Sequence, residues 1–461
     1  MLLTVSAIVL VLGILLLRLA NRPARLIYLV PLLLAFEYRA QLGSFSIDLA
    51  ELCVLVVLLV CLAHRWEGKQ TTSAKSISRD GLAIFLLAIC AFPSILFETN
   101  LHHAASVYRD LLLPFFFFFV FVRIGLEREQ IDALIKVACV LALANAGLGM
   151  VQCFTGNHMW FAGPDEAEWQ AYKTGLAKLS IFGGLLGARD TLPVGLYTGA
   201  NNFACYLSTP LCLFTMLAFC RELTKVQRLA SFVATSILLA CLFFTIFRSG
   251  LLVYAVSMML LNLLLSSRKS AERFFVAGML AGALALAFLT EGLFDWDQFG
   301  SFAGREQMIS ASWALIKAHP ELLLTGGFTD LYHLQSRETQ EIHNLFLYSV
   351  VHFGLPATLL FYTFFTRLLW CAVSIAKHAS GLHRDVLAAV AVSVGCNIFL
   401  YGATTMLIDS VQTCIWLLFW TGIAAYLALF LKYETVPAPS FALQERRVFS
   451  AGAEVAGAEG A

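Results

Sequence analysis

Charge is what this sequence has least of: Asp, Glu, Lys and Arg make up 13% of its 461 residues, against roughly 25% in soluble domains. Hydrophobic residues fill 59% of positions, where about 45–50% is usual. A soluble globular protein is thereby excluded, and a polytopic membrane protein with the lipid bilayer as partner is implied. The net charge of +1 carries little information, because in such a chain the distribution of charge over the two membrane faces matters more than its sum. No nucleic acid is expected as a partner.

Cys-x-x-Cys spacing is absent, although there are 12 cysteines. Most stand inside apolar runs, as Cys53, Cys139, Cys205 and Cys241 do, so they read as small buried hydrophobes and not as a disulfide framework. The N-terminus lacks a basic first region and a small-residue cleavage site, so its apolar run is expected to be a retained span. No internal repeat is apparent, which disfavours transporter folds built from duplicated halves.

What fills the chain is a series of apolar runs that reach or approach the roughly 20 helical residues needed to cross a bilayer core. They lie near 2–17, 26–36, 47–63, 82–97, 111–124, 131–154, 203–220, 229–247, 251–265, 274–290, 343–366, 386–403 and 411–431. The first two are short and one of them reads as re-entrant or interfacial, so about 12 or 13 crossings are expected. The fold expected is an all-α membrane bundle. Membrane helices occupy 1–154, a loop 155–202, central helices 203–290, a large loop 291–342 and C-terminal helices 343–433. The tail 434–461 has no periodic apolar face and reads as disordered. The run Phe115 to Phe119 needs only lipid or neighbouring helices and is given no chemistry.

Lys and Arg are retained on the cytoplasmic side, and here they gather in alternate connections: Arg18 to Arg25, Arg65 to Arg79, Arg123 and Arg128, Arg221 to Arg228, Arg268 to Arg273, Arg367 to Arg384, and Lys432 to Arg447. The loops 155–202 and 291–342 then face outward. Arg39, Arg109, Arg189, Arg248, Arg305 and Arg337, with Lys173, Lys178 and Lys317, stand on that outer side against the bias. A membrane-edge arginine usually has an anionic partner. Arg248 is the sharpest case, isolated between two apolar runs in Phe247-Arg248-Ser249-Gly250. It reads as a ligand-binding cation, or as one that snorkels to headgroups or pairs with Asp110 or Glu98.

The longest polar interval runs from Glu291 to Glu341, far beyond the usual connection of about 4–6 residues, which points to function. Within it, Ala303 to Ala318 reads as a helix with Met308, Ser312, Trp313, Leu315 and Ile316 recurring at helical spacing. Pro320 ends it. The chain re-enters apolar sequence with His343 in the first turn of the next span. In the other outer loop Trp160, Trp169 and Tyr172 read as an interfacial belt, with stacking on sugars as the alternative. Asp295 and Asp297 are spaced to hold a divalent cation, yet a bare Asp-x-Asp is unspecific and the arginines can neutralise the same charge. No metal and no cofactor is expected.

Several guanidinium groups and one imidazole at the outer membrane edge suit a lipid-linked diphosphate. Arginine binds phosphate oxygens bidentately, and histidine takes a proton near neutral pH. Four stretches in order resemble the O-antigen ligase and polymerase family of bacterial membrane glycosyltransferases: Gly195 to Phe203, Thr245 to Gly250, Gly304-Arg305 through Trp313 and His319-Pro320 to Gly326-Gly327, and His343-Asn344 through Gly354. The resemblance covers about 190–366. It implies an inner-membrane enzyme that transfers a glycan from undecaprenyl diphosphate at the periplasmic face to a glycan or lipid A core acceptor, without a metal. It also implies that Arg248 and Arg305 hold the diphosphate, that His343 activates the acceptor hydroxyl, and that Arg109, Arg189, Asn201 and Asn344 contact substrate. His343 has a plainer reading as an interfacial cap of its span; His352, His319 and His333 are weaker candidates for the base. A flippase or exporter of the same lipid is the alternative function. Against it, the ionisable residues gather at one face and do not line a path through the spans.

The orientation is open to a direct test. In a cysteine-free background, Gly304→Cys should react with an impermeant maleimide on intact spheroplasts and Lys269→Cys should not; the reverse pattern would overturn the assignment of sides.

Overall fold

The computed structural model describes residues 23–36, 39–42, 45–66, 74–97, 101–155, 195–197, 200–245, 248–265, 301–327, 344–403 and 410–435. One antiparallel hairpin, β1 (Arg39–Leu42) with β2 (Phe45–Asp48), pairs Arg39 with Asp48; every other described element is helical. A 3-10 turn, Pro23–Tyr28, leads into α1 (Leu29–Leu34). There follow α2 (Leu49–Trp66), α3 (Ala74–Ala91), α4 (Pro93–Phe97), α5 (Leu101–Arg123), α6 (Arg128–Thr155), α7 (Ala200–Phe219), α8 (Lys225–Phe244) and α9 (Arg248–Leu264). The second half holds α10 (Ser301–Ala318), α11 (Leu322–Thr325), α12 (Leu345–His378), α13 (Leu382–Cys396) with a π-helical turn at Asn397–Tyr401, and α14 (Val411–Thr435).

Seven of the described helices are long and apolar enough to cross a membrane, which makes the chain a multi-pass helical bundle. The expected runs at 47–63, 82–97 and 251–265 coincide with shorter apolar helices, and those at 2–17 and 274–290 lie outside the described residues, as does the tail beyond 435. The run at 26–36 does not cross as a helix. Six 3-10 and six α residues rise only about 21 Å, short of a core of about 30 Å. One expectation needs correction. The span expected to stop at 366 continues as helix to His378, through Arg367 and Lys377, which the charge pattern assigns to a loop. Charge ends a span without ending a helix: Leu369, Ala372 and Ala376 keep a buried stripe at helical spacing beyond Arg367.

The centre of the bundle is formed by α7, α13 and α14, in which 72%, 72% and 78% of the apolar window is buried, against 33–39% in the other four spans. Helices so enclosed are apolar all round, and α14 accordingly buries Trp416, Phe419 and Trp420 completely. The phenylalanine run of α5 is packing, as expected: Phe115 meets Phe361 and Phe364 edge-on, and Phe118 meets Phe364, while Phe116 stays exposed. At the end of the bundle where α5 finishes, Arg123 lies over the Phe119 ring. Nearby, His383 bridges Arg128 and Asp132, and the Glu222 carboxylate accepts the Leu382 N–H.

Because α1 stops inside the protein, its last carbonyls have no helical donor. Side chains from three other elements supply them. Gln412 of α14 donates to Leu33 O and Phe36 O at 3.0 and 2.8 Å, the Tyr197 hydroxyl donates to Leu34 O at 2.6 Å, and Asn145 of α6 donates to Ala35 O at 2.9 Å. Asn145 also accepts from Leu196 N, and Gln152 both donates to and accepts from the Gly195 backbone. The Gly195–Tyr197 turn and the α1 terminus are thus held by one set of buried amides. Replacing Gln412 by leucine removes both bonds and leaves Leu33 O only its longer contact with Phe36 N at 3.4 Å, a loss of about 1–3 kcal/mol. Gln412→Leu should therefore lower the thermal midpoint of the detergent-solubilised protein by several degrees, and an unchanged midpoint would show that other donors serve those carbonyls.

Candidate functional site

At the end of the bundle where α5 begins, the first turn of α12 is pinned to the π-helical turn after α13. Asn344 is extended (φ −149°, ψ 113°) and caps α12, its Oδ1 accepting from Leu347 N at 3.0 Å. Its amide donates to Ala403 O at 3.2 Å, and Leu345 N donates to Gly402 O at 2.7 Å. The Tyr401 hydroxyl then reaches the Asn201 carbonyl of α7. A Cβ at Gly250, one turn into α9, would stand 3.3 Å from Ala204 Cβ. The starts of α7, α9 and α12 are therefore neighbours.

Those three helix starts carry Asn201, Arg248 and Asn344, residues far apart in sequence and brought to one end of the bundle. Of Arg248 and Arg305 the structure gives the helices on which they stand, α9 and α10. Arg189, His343, His333, Asp295 and Asp297 lie outside the described residues; His343 directly precedes the Asn344 cap in the chain. The Asn201 Oδ1 is buried and has no hydrogen-bond partner among the described residues, an arrangement that favours a ligand donor there. Asn344 was expected to contact substrate, but its carboxamide is committed to the cap and to Ala403.

Arg109 also has protein partners. Its guanidinium lies 3.2 Å from Glu51 and 2.8 Å from Asp110, and its Nε donates to the same Asp110 oxygen. Two carboxylates around one cation leave the group without excess positive charge when both are ionised, so a diphosphate gains less there than at an unpaired arginine. Asp110, considered as a partner of Arg248, pairs with Arg109; the side chain of Arg248 lies outside the described residues. Glu51, near the start of α2, was not singled out from the sequence; an acid at the opening of an apolar run is the signal that marks it.

The long polar loop is anchored by its helix. Met308, Ser312, Leu315 and Ile316 of α10 are buried, as their spacing predicts, whereas Trp313 is 47% exposed. Trp313 follows Ser312 and is turned about 100° from it, off the buried stripe. The helix stops at Ala318, before Pro320. His319 then pairs with Glu321 at 3.1 Å. The Glu321 carboxyl is held below its ordinary range, chiefly by its own backbone N–H and then by His319. After α11 the chain inserts Gly326-Gly327 between Ser94 and the backbone of α12 at Gly354. His352, weighed as a second base, is buried with its ring against Tyr348, 4.0 Å between centroids.

A multi-pass helical membrane protein with a large polar loop anchored against the start of one span is the class these features define. A family model described as O-antigen ligase matches residues 233–362, so the resemblance read from the sequence motifs holds over that stretch, and with it a glycosyl-transferring type of membrane protein. Arg248, Arg305 and His343 fall within the match; Arg109, Arg189 and Asn201 fall outside it. No curated protein matches the chain.

The Asn344 cap makes a separable prediction. Asn344→Ala should cost about 0.5–2 kcal/mol, read as a lower unfolding midpoint, and Asn344→Ser should recover most of it. Equal loss in the two variants would mean that the bond to Ala403, and not the cap, is what matters.

Proposed function

We propose that this protein transfers a glycan from undecaprenyl diphosphate to an acceptor hydroxyl at the periplasmic face of the bacterial inner membrane, as an O-antigen ligase or polymerase without a metal. The observation that carries the reading is the O-antigen ligase match, which spans Arg248, Arg305 and His343 together. Its support is the convergence of the starts of α7, α9 and α12 at one end of the bundle, where a lipid-linked donor and a water-borne acceptor can meet.

In this reading His343 takes the proton of the acceptor hydroxyl as its oxygen bonds to the anomeric carbon of the donor sugar. The bond from that carbon to the diphosphate oxygen breaks, and the electron pair leaves with the diphosphate. Arg248 and Arg305 carry the charge that develops there, and a guanidinium serves better than an ammonium because it meets two phosphate oxygens at once. Asn201 and Arg189 complete the contacts to substrate. Arg109 and Asn344, committed to Glu51 with Asp110 and to the helix cap, shape the site from behind it. The acceptor is a glycan or lipid A core.

With purified protein and lipid-linked donor, His343→Ala should lower turnover about 10²–10⁴-fold while donor binding survives. Arg248→Ala and Arg305→Ala should weaken donor binding as well as turnover, and lysine should rescue little. Turnover should persist in EDTA. Near-normal turnover in His343→Ala excludes it as the base, and lipid translocation into proteoliposomes without glycan transfer would point to a flippase.

A further inference from the structure

The polar interval that follows Glu291 reads from its sequence as lying outside the membrane, yet α11 with Gly326 and Gly327 touches two spans well inside their apolar lengths. Gly354 (φ 80°, ψ 164°) breaks α12, and Gly327 N donates at 3.0 Å to the carbonyl of His352, just before that break. A Cβ on Gly354 would lie 2.8 Å from Leu324 O, and one on Gly327 would lie 2.5 Å from Ser94 O and 3.1 Å from Phe97 Cβ. This end of the loop is wedged between α12 and α4.

Two separate counts give the depth. The first Asp, Glu, Lys or Arg of α12 is Arg367. A bilayer core of about 30 Å, reckoned back from it at about 1.5 Å per residue, ends near residue 347, so Gly354 lies about 10 Å inside. On the other side of the junction, the apolar helix Leu82–Phe97 follows Arg79 and Asp80. Ser94 stands about 18 Å along it, and thus about 12 Å short of the opposite edge. The counts start from opposite faces of the membrane and agree.

An exposed side chain at that depth faces either hydrocarbon or a water-filled lumen, and its neighbours decide for hydrocarbon. Leu324 is 69% exposed, and on α4, against which α11 packs, Leu96 and Phe97 are 70% and 51% exposed. They continue a line of exposed apolar residues, Leu82, Phe85, Ile89 and Phe92, that recur at helical spacing along the same span. The backbone of α11 suits such a place. Leu323 N donates to Pro320 O, and Leu324 N and Thr325 N donate to Glu321 O, so none of these three donors needs water. Earlier in the chain, exposed Trp313 and Lys317, one turn apart on α10, and the His319–Glu321 pair have the character of a headgroup boundary.

We propose that the end of the polar loop is re-entrant: Leu324, together with Leu96 and Phe97, forms a surface that inserts among lipid acyl chains about 10 Å below the membrane edge. This insertion ties α10 to the bilayer as well as to α12. The partner is lipid hydrocarbon, and neither a soluble protein nor the glycan. The inference goes beyond the functional reading above, since it concerns where the loop lies and not what is transferred.

The test uses the full-length protein in proteoliposomes, with the four cysteines that are not buried, Cys61, Cys90, Cys371 and Cys414, replaced by alanine. A nitroxide at Leu324→Cys should collide with oxygen in preference to a water-soluble nickel chelate. The ratio should match that of Ile89→Cys on α3 and not that of Lys225→Cys at the start of α8. A ratio like that of Lys225→Cys shows a water-filled lumen, and weak collision with both reagents shows a protein cover; either overturns the proposal. Where Leu324→Cys does not fold, the unaltered chain decides. A phosphatidylethanolamine with a diazirine in its acyl chain should, on illumination, leave adducts within Leu323–Thr325 as well as on Leu96 or Phe97. Absence of adducts from α11 overturns the proposal, with those on α4 as the control. Neither measurement requires turnover, so a protein that transfers no glycan sinks the functional reading and leaves this one to be judged on its own.

Discussion

A backbone carbonyl left without its helical donor inside hydrocarbon has no water to turn to, so every interruption of a membrane helix must be matched by a donor from elsewhere in the protein. Three interruptions here obey that rule in three ways. The end of α1 is served by side-chain amides and a phenol, the break in α12 by the backbone of Gly327, and the π-helical turn after α13 by its cap bond from Gly402 N to Asn397 O. The first two sets of donors tie together elements that are distant in the chain, whereas the third is local to its turn. The need to satisfy the backbone thereby specifies which segments become neighbours.

These ties lie toward the end of the bundle that carries the candidate site, whereas the opposite end is closed by ordinary means. There Tyr426 takes the N–H groups of Gly125 and Leu126 and donates to Phe121 O, and a capping box of Thr224 with Gln227 starts α8. The contrast has a functional sense. Irregular backbone within a membrane protein is kept where it is buried in protein or lines a cavity, and the proposed reaction on a lipid-linked substrate needs polar groups held at fixed positions near the membrane edge. The aromatic packing of α5 on α12 and the enclosed tryptophans of α14 provide a stiff base for that edge.

Much of this was legible in the sequence. The apolar runs located the described spans because span length follows from bilayer thickness, and the helix of the polar loop followed from the spacing of Met308, Ser312, Trp313, Leu315 and Ile316, of which Trp313 alone is exposed. The phenylalanine run was rightly read as packing. Residues whose role depends on a distant partner were less legible. Arg109 reads as a cation for substrate, and Glu51 and Asp110 are seen beside it only in the structure; Asn344 reads as a substrate contact, and its amide is found in the α12 cap. Gln412, Asn145 and Gln152 are single amides in apolar runs, and nothing local states which carbonyls they serve.

The sequence by itself determined that the chain is a bundle of long apolar helices, a property that follows from local hydropathy. The tertiary structure alone decided that α1 stops short, that α12 outruns its apolar stretch, that Arg109 meets Glu51, and that a pair of glycines from the polar loop enters the break in α12. Each of these depends on groups more than twenty residues apart meeting at hydrogen-bond distance, or on a helix continuing past the charge that ends a membrane span, and neither is encoded in any short stretch of residues.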